Sequence, residues 1–71
     1  MTLLPPHVRL RRWMVASGFS PRALGAVVGV SRSAVQWWMS GTTRPKVRSA
    51  MAIEQLGGPK LEEWLISSGE S

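Results

Sequence analysis

The sequence predicts an all-α fold, a compact bundle of about five short helices. Glycine and proline divide its 71 residues into short stretches, and within each stretch apolar residues recur three and four positions apart. Serines stand where two of these stretches begin, as helix N-caps do. The first helix is expected from about Pro6 to Ser17, with Gly18 as its stop. Leu10, Trp13 and Met14 share one face, and Arg9, Arg11 and Arg12 fill much of the rest. The second starts with Ser20 as N-cap and Pro21 at the favoured first position. It runs through Leu24, Val27 and Val28 to Gly29, where a left-handed residue is wanted. The run Ala23 to Val28 also suits a strand by propensity, but the Ser-Pro start and Gly stop decide for helix.

The third helix starts at Ser31 and carries Arg32 to Met39 before Gly41. Val35 and Trp38 make its apolar face, with Arg32, Ser33, Gln36 and Ser40 away from it. Only Gly29-Val30-Ser31 separates the second helix from the third. So short a turn forces the pair to cross at a large angle, a helix-turn-helix unit at about residues 20–40. Thr42 to Lys46 is a polar, basic loop, and a fourth helix follows with Val47, Ala50, Ile53 and Leu56 in step. After Gly57-Gly58, Pro59 is expected to open a short fifth helix, residues 59–67, in which Leu61, Trp64 and Leu65 share a face. Ser67 to Ser71 reads as a frayed tail. Residues 1–71 are expected to form one domain. Its expected core is Trp13, Trp38 and Trp64 with Leu10, Phe19, Leu24, Val28, Val35 and Ile53.

Charge points to the partner. Residues 1–53 hold Arg9, Arg11, Arg12, Arg22, Arg32, Arg44, Lys46 and Arg48 with no acid, and residues 54–71 hold Lys60 against Glu54, Glu62, Glu63 and Glu70. The halves are +8 and −3, giving the net +5. A basic body suits a polyanion, either nucleic acid or an anionic membrane. Arginine dominates, and its planar fork fits phosphates and guanine edges. The membrane alternative needs one long basic amphipathic helix, which the glycine and proline breaks do not allow. No apolar run approaches the roughly 20 residues of a membrane span, and Pro5, Pro6 and the arginines after them do not fit a signal peptide. A cytoplasmic location is expected.

The same inventory argues against an enzyme. The chain has no Asp, Cys or Tyr and a single histidine, so titratable groups have little to converge with. His7 is expected to be a surface residue at a helix start. No disulfide, metal site or cofactor is expected.

The run Leu10 to Pro45, LRRWMVASGFSPRALGAVVGVSRSAVQWWMSGTTRP, resembles the helix-turn-helix domains of phage Cro and lambda-type repressors, and the likeness continues to about Gly57. Its most specific part is the spacing Leu24, Gly25, Val28, Gly29, Val30, Val35 and Trp38. A small residue at Gly25 lets two helices approach, and Gly29 permits a positive φ in the turn. Two positions depart from the family. Pro21 stands where a phosphate-clamping glutamine is common, and Trp37 stands where a polar or basic residue is usual. Trp37 is expected either to contact a sugar, a thymine methyl or a partner protein, or to lie over the fourth helix as outer core.

The resemblance implies that the third helix enters the major groove of double-stranded DNA, with Arg32, Ser33, Gln36 and Trp37 as base readers. Ser20, Arg22, Ser31, Ser40, Thr42, Thr43, Arg44 and Lys46 become candidates for phosphate contacts, Ser31 more as a helix cap. It further implies a repressor of the phage or plasmid kind, acting as a homodimer on a palindromic operator near the nucleoid of a bacterial or phage-infected cell. The expected dimer surface is Trp64, Leu65 and Ile66, whose rival use is closing the core over the first helix. The alternative function is an antitoxin that binds a toxin partner and regulates itself through the same fold. Only Ser67–Ser71 is spare for such binding.

Overall fold

The computed structural model of the protein describes residues 4–68, with side chains as far as Trp64. Five helices follow one another: α1 Pro6–Ser17, α2 Pro21–Val28, α3 Arg32–Ser40, α4 Val47–Gln55 and α5 Leu61–Ser68. The described residues contain no strand. The all-α expectation holds, and the starts and stops of α1, α2 and α3 fall where serine, proline and glycine place them.

Helix ends explain the agreement. The hydroxyl oxygens of Ser20 and Ser31 accept from the N–H groups of Ala23 and Ala34, both at 3.1 Å, capping α2 and α3. After α2, Gly29 takes φ 91°, and the N–H groups of Gly29 and Val30 both donate to the Gly25 carbonyl at 2.8 Å. The same overlapping closure ends α3, where Gly41 takes φ 81° and Thr42 donates to the Trp37 carbonyl at 3.0 Å. Carbonyls that a helix end would leave unmet are thereby satisfied within three residues.

Every helix contributes to one core: Leu10 and Met14, Leu24, Val35 and Trp38, Ala50 and Ile53, and Trp64. Each large side chain removed from water is worth about 1.5–3 kcal/mol. Trp13, Phe19 and Val28, expected inside, are only partly buried and pack against its edge. Trp13 and Phe19 meet there as a tilted aromatic pair, centroids 5.3 Å apart, across the turn from α1 to α2. Met14 and Ala50, on the expected apolar stripes of α1 and α4, are buried with the core, and Pro45 and Pro59 are buried without having been expected there. The stripe proposed for α4 narrows to its middle. Residues three apart drift by roughly 60° around a helix, so four of them turn through about half a circle. Ala50 and Ile53 are fully buried, whereas Val47 and Leu56 are 57% and 37% exposed.

The fifth helix also departs from expectation. It opens at Leu61, not Pro59, and includes Ser67 and Ser68. Pro59 is instead buried in the connection. Lys60 starts the helix: its N–H donates to the Glu63 carboxylate at 2.9 Å, and its carbonyl accepts from the Glu63 N–H at 3.0 Å. The Leu61 N–H donates to the carboxylate of Glu54 at the end of α4, 3.0 Å away. Arg9 of α1 pairs with the second oxygen of Glu63. Trp64 follows, packed into the core with its indole Nε1–H buried and without a partner. The bulk of the ring outweighs that loss here, since one unmade bond costs about 1–3 kcal/mol.

Helices α2 and α3 make the tightest contact. A Cβ built on Gly25 would lie 2.7 Å from the Val30 carbonyl oxygen and 3.3 Å from Ser31 backbone atoms. The obstacle is backbone, which cannot swing aside. Gly25→Ala gains at most about 1 kcal/mol in helix propensity, against an overpacking cost of about 1–3 kcal/mol. The variant is expected to lose about 1–2 kcal/mol, read as a thermal midpoint several degrees lower by circular dichroism. An unchanged or raised midpoint contradicts this packing.

Candidate nucleic-acid interface

Helix α3 divides by burial into two sides. Val35 and Trp38 are 0% and 5% exposed, while Arg32, Ser33, Gln36, Trp37 and Ser40 all face solvent. At 3.6 residues per turn those five fill an arc of roughly 140° opposite the buried pair. Arg32, Gln36 and Ser40 form one row along it, and Ser33 and Trp37 a second. Trp37 is 53% exposed, so it does not serve as outer core over α4. All four expected base readers lie together on this face.

The expected phosphate-contact residues flank it. Ser20 and Arg22 are exposed at the start of α2, and Thr42, Thr43, Arg44 and Lys46 are exposed in the loop after α3. Pro45 is buried between Arg44 and Lys46, anchoring the loop from which both cations emerge. Two of the hydroxyls are engaged by capping: Ser20 and Ser31 hold the starts of α2 and α3. Ser40 is engaged too, donating to the Trp37 carbonyl at 3.0 Å and lying 2.8 Å from the Thr42 hydroxyl. These bonds fix the backbone around the exposed face at both ends of α3.

Residues not assigned to the site from sequence also stand near it. Arg48, exposed in the first turn of α4, extends the cationic run of Arg44 and Lys46. Its signal was its position directly after the basic loop. His7 packs against Gly41, its ring 3.0 Å from where a Cβ would be, so α1 braces the end of α3. It is partly buried, not a free surface residue. Arg9 is drawn away from the basic surface by Glu63. No carboxylate lies on α1, α2 or α3, and among the described acids Glu54 and Glu63 are occupied at the start of α5. Within α1, α2 and α3 the charged side chains are therefore all cations.

Of the three residues expected at a dimer surface, Trp64 is 3% exposed and closes the core. The side chains of Leu65 and Ile66 lie outside the described residues.

A family model described as a helix-turn-helix domain matches residues 8–57. The chain belongs to the helix-turn-helix domain family. Neither a curated protein nor a solved structure matches it. The matched segment runs from α1 through α4 and so contains the whole α2–α3 unit. As a helix-turn-helix domain it is a DNA-binding protein. No helix among the described residues is long and apolar enough to cross a membrane.

Capping and reading separate experimentally at neighbouring serines. Ser31→Ala is expected to cost about 1 kcal/mol of stability, because it removes a cap. Ser33→Ala, on the exposed face, is expected to change stability by less than about 0.5 kcal/mol. Urea unfolding of both variants checks this, and equal losses would refute the assignment of Ser31 as the cap.

Proposed function

We propose that this protein is a sequence-specific transcriptional regulator, a repressor of the phage or plasmid kind similar to Cro and lambda-type repressors. The observation that carries the proposal is the outer face of α3, where Arg32, Ser33, Gln36 and Trp37 stand together on a helix fixed at both ends. Arg32 is suited to guanine O6 and N7, and Gln36 to adenine N6 and N7. Ser20, Arg22, Thr42, Thr43, Arg44 and Lys46 set the register by contacting phosphates, joined by Ser31 and Ser40 where their caps leave a lone pair or hydrogen free. The protein binds a palindromic operator as a homodimer and excludes polymerase from it, with no catalytic step and no cofactor. The dimer contact is proposed at the α5 end, through Leu65 and Ile66, with Trp64 left to the core.

The test is selection from a random duplex pool followed by anisotropy titration across salt concentrations. A selected palindrome bound at least about 10³-fold more tightly than bulk DNA is the expected result. Binding that is equal for all duplexes would overturn it. On the selected site, Gln36→Ala should relax preference at one base position. Arg44→Ala should weaken binding to every sequence and reduce the log–log salt slope by about 1. Two variants that act alike on all sequences would remove α3 from the role of reader.

A further inference from the structure

Trp37 is the one member of the α3 outer face with no ordinary hydrogen-bonding reason to be there. It is half exposed among arginine, serine and glutamine side chains, while its neighbour Trp38 is buried in the core. Leaving so large a ring in water forgoes burial that the fold uses at Trp38 and Trp64. Its mounting is unusually firm. The Trp37 carbonyl accepts from the N–H groups of Thr42 and Thr43, at 3.0 and 3.4 Å, and from the Ser40 hydroxyl at 3.0 Å. Two side-chain torsions are then all that remain to be fixed on binding, so little entropy is lost when the ring meets a surface.

An indole has one N–H donor and no acceptor, and the rest of it is apolar. Base edges in the major groove present donors and acceptors with one apolar group among them, the C5-methyl of thymine. The same methyl is present on 5-methylcytosine. Exposed cations stand on α3 and on the segments before and after it, and α1, α2 and α3 carry no acid, which favours DNA over a protein as the occupant. We propose that Trp37 is a specificity-determining residue that reads a pyrimidine C5-methyl group, so that binding responds to thymine and to methylated cytosine alike. This rests on α3 being the base-reading helix. Gln36, one position earlier, addresses the neighbouring base pair through its amide, and Trp37 adds an apolar preference beside it.

The experiment uses the full chain and the duplex it selects. Each thymine is replaced in turn by uracil, which keeps the pairing and removes only the methyl. At any responsive position a C·G pair is then compared with and without 5-methylation. One methyl removed from water is worth about fourfold in affinity. Uracil is expected to weaken binding about fourfold at one position per half-site, and 5-methylcytosine to bind about fourfold better than cytosine there. Both effects should vanish in Trp37→Ala and persist in part in Trp37→Phe, with thermal melts confirming that each variant folds. The proposal is overturned if no thymine responds, if methylated cytosine recovers nothing, or if Trp37→Ala keeps the same methyl dependence. Wild-type affinity of Trp37→Ala for every duplex also overturns it and marks the ring as a contact for a protein. Failure to select any sequence is distinct, since it overturns the proposed function itself.

Discussion

The fold turns on the contact at Gly25, where the backbone of α2 meets the turn that leads into α3 with no room for a Cβ. Both N–H groups that close α2 converge on the Gly25 carbonyl, so the approach and the stop of the helix are one structure. The angle at which α3 leaves is set there. Val35 and Trp38 then join Leu24, Leu10 and Met14 in the core, and the opposite face of α3 is left outward. Exposure of Arg32, Ser33, Gln36 and Trp37 is thus a result of backbone geometry at a position on another helix.

Electrostatics repeat this division of labour at the other end of the molecule. The sequence separates a basic body from an acidic end, and the structure shows what the acids do. Glu54 and Glu63 accept backbone N–H groups at the start of α5, where carboxylates are favoured by the helix dipole. Glu63 also holds Arg9. An exposed ion pair alone contributes about 0–1 kcal/mol, but here it is joined to a helix cap and to the packing of Trp64 beneath. The carboxylates of Glu54 and Glu63 are therefore used to close the bundle at α5, whose backbone does not approach that of α3 among the described residues.

Much of this was legible in the sequence because it is local. A serine cap, a proline at the first helical turn and a glycine stop act over three or four residues, and α1, α2 and α3 begin and end where those signals stand. The outer face of α3 follows from its start and from the burial of Val35 and Trp38. What escaped depends on distant partners. Pro59 looks like a helix start, but Glu54 and Glu63 move that start to Leu61 by bonding the amides that follow it. Val47 and Leu56 look like core until helical drift carries them to the surface. His7 carries no local sign that it will pack on Gly41.

The bonds that organise the end of α3 run to the carbonyl of Trp37, not to its ring. Any residue can supply a carbonyl. Apart from Ser40, whose hydroxyl helps close the helix, the outer positions of α3 contribute nothing to the core, so their side chains are nearly free of structural duty. Selection can exchange them one at a time while the scaffold stays as it is. In such an architecture surface chemistry diverges faster than shape, and descendants of this chain would share its bundle while presenting a different outer face on α3.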